Sequence, residues 1–204
     1  MRFELNTRGL RLPPAPPEAG GAAEQYLVRG EADAGLTAAA RRMRALAGSD
    51  PRGFAASLCT MLHESIAPEP DEALPLKAPG ETLASARGTT RDIARLYVDL
   101  ARRAGLPARF VSGYWAAGPD PAAARGARLW AEVLLPEIGW RGFDPGLGQR
   151  AGAGHVALAA ARALSATLPV QGSTFASAFG QPARQRLSGE LEILTSARDV
   201  TAPR

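Results

Sequence analysis

Residues 88–114, GTTRDIARLYVDLARRAGLPARFVSGY, constrain the fold more than any other stretch. Thr89 and Thr90 carry hydroxyls that can accept one of the unpaired N–H groups at a helix start. Ile93, Leu96, Tyr97, Leu100 and Ala104 then recur at three- and four-residue spacing, so one helical face is apolar. Gly105 supplies the left-handed conformation that ends a helix, and Pro107 prevents its return. Residues 109–115 are short, aromatic and β-branched, and read as a strand.

Around this stretch the chain divides into weaker signals. Residues 2–7 permit a short edge strand, and residues 12–23 are a Pro-, Ala- and Gly-rich connector. Residues 37–46 read as a helix. Asp50-Pro51 opens another, with Phe54, Leu58, Met61, Leu62, Ser65 and Ile66 on its apolar face. Cys59 sits at the margin of that face and reads as a small core residue, and His63 reads as a surface histidine. Residues 67–81 are a Pro-rich loop, and residues 82–86 allow one helical turn. A Gly-, Pro- and Ala-rich loop follows Trp115. Residues 128–135 and 140–144 read as two strands around a turn at Pro136, and GLGQRAGAG after them as a loop. Residues 155–167, HVALAAARALSAT, are ambiguous between helix and strand, with propensity favouring a helix in the Ala-rich part. A last strand is expected at residues 189–196. The expected organisation is residues 1–30 as strand and connector and residues 31–204 as one domain, a division that 204 residues suit.

Charge and composition limit the function classes. The net charge is +4, but the arginines are dispersed among acids, so no nucleic-acid partner is expected. No apolar run reaches the ~18 residues of a membrane span, and the N-terminus lacks a signal-peptide core, so a cytoplasmic, membrane-free protein is expected. One cysteine and two histidines exclude an internal disulfide and a multi-cysteine metal site. No metal or cofactor is expected.

Two runs carry a resemblance. Gly105-Leu106-Pro107-Ala108-Arg109-Phe110-Val111-Ser112-Gly113-Tyr114, with Gly88, Arg91, Asp92 and Ala94 upstream, is the first. Trp130, Glu132, Val133, Gly139, Trp140, Asp144 and Pro145 form the second. In order and spacing these resemble the two motifs of the transglutaminase-like family, a branch of the papain-like cysteine peptidase fold. The resemblance spans roughly residues 37–172. It implies an α+β fold with the central helix packed on an antiparallel sheet. It also implies that Thr90 stands at the position of the catalytic cysteine, Arg128 at that of the catalytic histidine, and Asp144 at that of the acid orienting the histidine. His155-Val156 matches a further family feature, whereas ARALSA replaces the segment expected after it. Too little sequence precedes the core for the N-terminal β-sandwich common in the family.

Cysteine acyl transfer needs a thiolate, a base and a group that orients the base. A threonine hydroxyl is far less acidic than a thiol, and an arginine is always protonated. The cysteine mechanism is therefore expected to be absent. Thr90, Arg91, Asp92, Arg128, Trp130, Asp144 and His155 are the ligand-binding candidates, and Thr90, Arg128 and Asp144 among them occupy the degenerate triad positions. Structural roles compete for four of these: Thr90 as a helix cap, Asp92 as a favourable first-turn charge, and Arg128 and Asp144 as an ion pair. Pro136 lies midway between Arg128 and Asp144, so a hairpin centred there sets the two side chains opposite each other. Backbone N–H groups at Thr90 and Arg91, with Arg128 beside them, make an anion site another expectation. The leading reading is a degenerate family member, a pseudoenzyme whose cleft binds a peptide, acyl group or small anion. The alternatives are an enzyme repurposed for non-cysteine chemistry on an acyl or peptidyl substrate, and an assembly partner of another enzyme.

Overall fold

The computed structural model describes residues 23–27, 30, 32–48, 50–70, 75–115 and 126–167. In chain order these form α1 (Ala34–Ala47), α2 (Pro51–Ser65), β1 (Ala67–Pro68), α3 (Pro79–Ser85), β2 (Arg87–Gly88) and α4 (Thr90–Arg103). Five strands follow: β3 (Ala108–Trp115), β4 (Gly126–Leu135), β5 (Gly139–Asp144), β6 (Gln149–Arg150) and β7 (His155–Ala161). The last five make one antiparallel sheet in the order β6-β5-β4-β3-β7, and β1 pairs with β2 in parallel. The fold is thus α+β, with helices on one face of the sheet. The strands expected at residues 2–7 and 189–196, nearly all of the connector and most of the loop after Trp115 lie outside the described residues.

α4 begins where a capping box closes. Asp92 N–H donates to Thr89 Oγ1 at 3.2 Å, and Thr89 N–H donates to Asp92 Oδ2 at 3.0 Å. Two backbone donors at the helix start are satisfied by these bonds. Ile93, Leu96, Tyr97 and Leu100 are buried, and Ala94, Val98 and Ala101 beside them are too, so the helix lies inside the molecule. Tyr97 donates its hydroxyl to the Ala55 carbonyl at 2.9 Å and ties α4 to α2. The helix stops at Gly105, whose φ of 86° suits glycine alone.

α1 starts three residues before the expected point, because Asp33 caps it by accepting from Leu36 N–H. In α2, Phe54, Leu58 and Leu62 face inward as expected, but Ser65 is exposed and Met61 only half-buried. Ala55 and Cys59 take part in the buried face instead, so the face is rotated and Cys59 lies within the core. The Pro-rich loop ends earlier than expected. Pro79 opens α3, where its fixed φ suits the first turn, and Glu81 reaches back to accept from Ala78 N–H.

Residues 155–161 are a strand. Pairing with β3, from Trp115↔His155 to Phe110↔Ala161, supplies the backbone bonds and overrides the helix propensity of the alanines. A short 3-10 turn follows at Leu164–Thr167. The β4–β5 hairpin also differs from expectation. Leu135 pairs with Gly139, so the turn centres on Glu137, at φ 64°, and not on Pro136. Arg128 and Asp144 are therefore one diagonal step apart and not directly opposite.

Candidate functional site

Alternation along β4 separates two faces. Leu129, Ala131, Val133 and Leu135 are buried toward the helices, and Arg128 and Trp130 project from the other face. Asp144, the last residue of β5, projects to that second face and is buried. Trp115 at the end of β3 and His155 at the start of β7 are register partners beside it.

Asp144 is the hub of this cluster. Its carboxylate accepts from Arg128 through Nε and, at 3.1 Å, through Nη2. It also accepts from Leu147 N–H at 3.1 Å and lies 3.1 Å from His155 Nε2. Side-chain exposure is 9% for Arg128, 1% for Asp144 and 2% for His155, so the three charges and dipoles meet away from water. Burial pushes the Asp144 carboxyl up. Hydrogen bonds from His155 and Arg128, with the charge of Arg128, outweigh it and hold the carboxyl below its ordinary value.

His155 is held at both nitrogens. Gly152 N–H donates to Nδ1 at 3.1 Å, which leaves the proton of the neutral ring on Nε2, directed at Asp144. The ring is enclosed by Trp115, at 4.6 Å between centroids, and Trp130, at 5.1 Å. Trp130 in turn needs Gly113: a β-carbon there would stand 2.7 Å from the indole and 2.0 Å from the Val156 carbonyl. No side chain fits at that crossing of β3, β4 and β7.

Gly146 brings the helix start into the same cluster. A β-carbon on it would lie 2.9 Å from Arg128 Nη2, 3.2 Å from Thr90 Cγ2 and 3.3 Å from Asp144 Oδ1. Thr90, Arg128 and Asp144 therefore surround one point. Thr90 is half-buried as the first residue of α4, and the capping role falls to Thr89. Arg91 follows it, half-buried. Asp92 is committed elsewhere. Beyond its two bonds to the Thr89 backbone and cap, it accepts from Thr89 Oγ1–H at 2.8 Å and from Lys77 N–H at 2.9 Å. It fixes the loop before α3 to the start of α4.

Trp115 and Gly146 were not singled out from sequence. Trp115 ends an aromatic strand and Gly146 follows Asp144-Pro145, so both lie within two residues of motif positions. Cys59 is buried in α2, with Sγ 3.5 Å from the Gln149 carbonyl. Burial, then the nearby charge of Asp144, pushes its thiol up to about 12, the opposite of an activated nucleophile. Among the described residues, no group of three or more His, Cys, Asp or Glu side chains could hold a metal ion, and no helix is long and apolar enough to cross a membrane.

The profile of the transglutaminase-like superfamily matches residues 37–145, which contain Thr90, Arg128 and Asp144. No curated protein matches the chain. Several solved structures share its fold. A candidate cysteine protease from Cytophaga hutchinsonii is 17% identical over 71% of this chain and 48% of its own, with a TM-score of 0.51. The periplasmic domain of TgpA from Pseudomonas aeruginosa is 22% identical over 65% of this chain and 49% of its own, with a TM-score of 0.53. The same domain bound to ethylmercury is 24% identical over 64% and 50%, with a TM-score of 0.52. At these identities the likeness is one of fold, and this chain spans about half the length of each structure.

Proposed function

The chain belongs to the transglutaminase-like superfamily, and from that premise we propose that it is a pseudoenzyme that binds an acyl, peptidyl or small anionic ligand without turning it over. The observation that carries this reading is the convergence of Thr90, Arg128 and Asp144 on one point beside Gly146. In this reading Thr90 stands where the family has its nucleophile and Arg128 where it has its base. A guanidinium that stays protonated cannot take a proton from a hydroxyl. The acid that would orient the base is spent on an ion pair instead.

His155 is the one imidazole on the Asp144 carboxylate, and its geometry speaks against a repurposed threonine enzyme. Nδ1 accepts from Gly152 and Nε2 faces Asp144, so neither nitrogen is presented to a Thr90 hydroxyl. An assembly role has less support. The large apolar side chains exposed among the described residues are Leu46 on α1 and Leu158 on β7, which are single and on different elements. Folds keep clefts after losing chemistry, and the half-buried ring of Trp115 is suited to an acyl or peptidyl group. Asp144 neutralises much of the Arg128 charge, so an anion here gains more from the partial positive charge of the α4 start than from the guanidinium.

Turnover of peptide and thioester substrates by the wild type, by Thr90→Ala and by the Thr90→Cys/Arg128→His double variant tests this. The expected result is no turnover by the wild type and iodoacetamide-sensitive turnover by the double variant. Wild-type turnover that Thr90→Ala abolishes would mean a working enzyme and end the pseudoenzyme reading.

A further inference from the structure

On the helix-facing side of the β4–β5 hairpin, the face opposite the Arg128–Asp144 cluster, three arginines line a cavity of about 340 Å³ that runs from Leu135 and Ile138 near the turn to Phe143, the residue before Asp144. Its floor is Leu135, Ile138 and Phe143, with Ala56 of α2 opposite. The sheet register makes one of these arginines unexpected. Arg141 pairs with Val133, which is fully buried, and stands two residues from buried Phe143 on the helix-facing side of β5. Alternation there calls for an apolar side chain.

The second arginine comes from the neighbouring strand. Arg150 pairs with Phe143, so it lies on the same face, and its guanidinium sits 5.9 Å from the centre of the Phe143 ring. The third, Arg52, reaches in from the first turn of α2. Among the described residues none of the three makes an ion pair and no carboxylate lines the cavity. Arg141 Nη1 donates to the Trp140 carbonyl at 2.7 Å, a neutral partner. The nearest acid along the chain, Asp50, is committed to capping α2 through Arg52 N–H and Gly53 N–H. Three like charges around one small cavity repel each other, and folding alone does not compensate them.

We propose that this cavity is an anion site, separate from the family cleft, for a small organic oxyanion of two or more negative charges with a short apolar body. Guanidinium forks match phosphate and carboxylate oxygens two at a time, and their planar faces tolerate the apolar floor. The volume lies within the range of small-molecule sites. A phosphate ester and a polycarboxylate share this chemistry, and the cavity is open to either.

Calorimetric titration at low salt with pyrophosphate and, separately, citrate tests the proposal on the full chain. At least one is expected to bind, with affinity falling steeply as salt rises. The stronger of the two identifies the headgroup. Arg52→Gln and Arg150→Gln each should weaken binding at least tenfold, and Thr90→Ala should leave it unchanged. Both arginines are exposed, so these variants keep the fold. Arg141→Leu should abolish binding while fitting the apolar position. Failure of both probes to bind, or binding that survives Arg52→Gln and Arg150→Gln, overturns the proposal. Binding lost only in Thr90→Ala overturns it too and assigns the anion to the family cleft.

Discussion

The two faces of the β4–β5 hairpin treat arginine in opposite ways. On one face, at its open end, Arg128 is buried against Asp144, and that carboxylate receives four donors from Arg128, His155 and Leu147. On the other face Arg52, Arg141 and Arg150 surround a cavity that no acid among the described residues lines. The same residue type is structural in the first place and available in the second. What differs is the partner, not the residue: a buried charge with a good partner is locked, and a half-exposed charge without one is free to recruit a ligand.

The largest test of this contrast is removal of the hub. Asp144→Ala leaves a buried guanidinium and the His155 Nε2–H without an acceptor, and should cost roughly 3–5 kcal/mol. In a chain of this size that lowers the melting temperature by roughly 10 °C or more. Arg128→Ala should cost less, because Asp144 keeps the His155 and Leu147 donors. Thermal melts of both single variants and the double variant measure the coupling. Additive losses would mean that the two side chains do not stabilise each other.

A change of pH tests the same end more gently. The folded Asp144 carboxyl is held below its ordinary value of 3.8, because the His155 and Arg128 interactions outweigh burial. A depressed carboxyl binds its proton less readily folded than unfolded. Its contribution is therefore fully present above the ordinary value and is lost as pH falls through the lower, folded one. Wild-type stability should fall in acid below about pH 4 more steeply than that of Asp144→Asn. Parallel curves for the two proteins between pH 5 and pH 2 would refute the linkage.

How much of this was legible in the sequence depended on where the information lay. α4 was readable because cap, apolar stripe, Gly105 and Pro107 are all local, and each points the same way. The convergence of Thr90 with Arg128 and Asp144 followed from two motifs whose spacing is tied to a fold. β7 was not readable, since the residues that make 155–161 a strand are in β3, and alanines alone favour a helix. The hairpin register was missed by one residue at its centre, because Glu137 takes a positive φ that a non-glycine residue does not announce. The slip leaves the face of Arg141 unchanged: it falls opposite Ala131 in the expected register and opposite Val133 in the observed one, and both are buried on the helix side.

The smallest expected effect is on the helix-facing side, and it is the more discriminating one. Arg52→Gln removes a cation that has no ion pair among the described residues and is exposed on the first turn of α2. Surface changes of this kind usually stay within about 0.5 kcal/mol. The sign should favour the variant at low salt, since one of three mutually repelling charges is gone. It also takes a positive charge away from a helix start, where cations are unfavourable. Raising the ionic strength to ~0.15 M shortens the screening length to about 8 Å and should erase the difference. The measurement is a pair of denaturant titrations at low and moderate salt, compared with the same pair for Arg128→Ala, whose loss is expected at both. An Arg52→Gln variant that loses more than about 1 kcal/mol at both salts would show that Arg52, like Arg128, is a locked structural cation. The contrast between the two faces would then collapse.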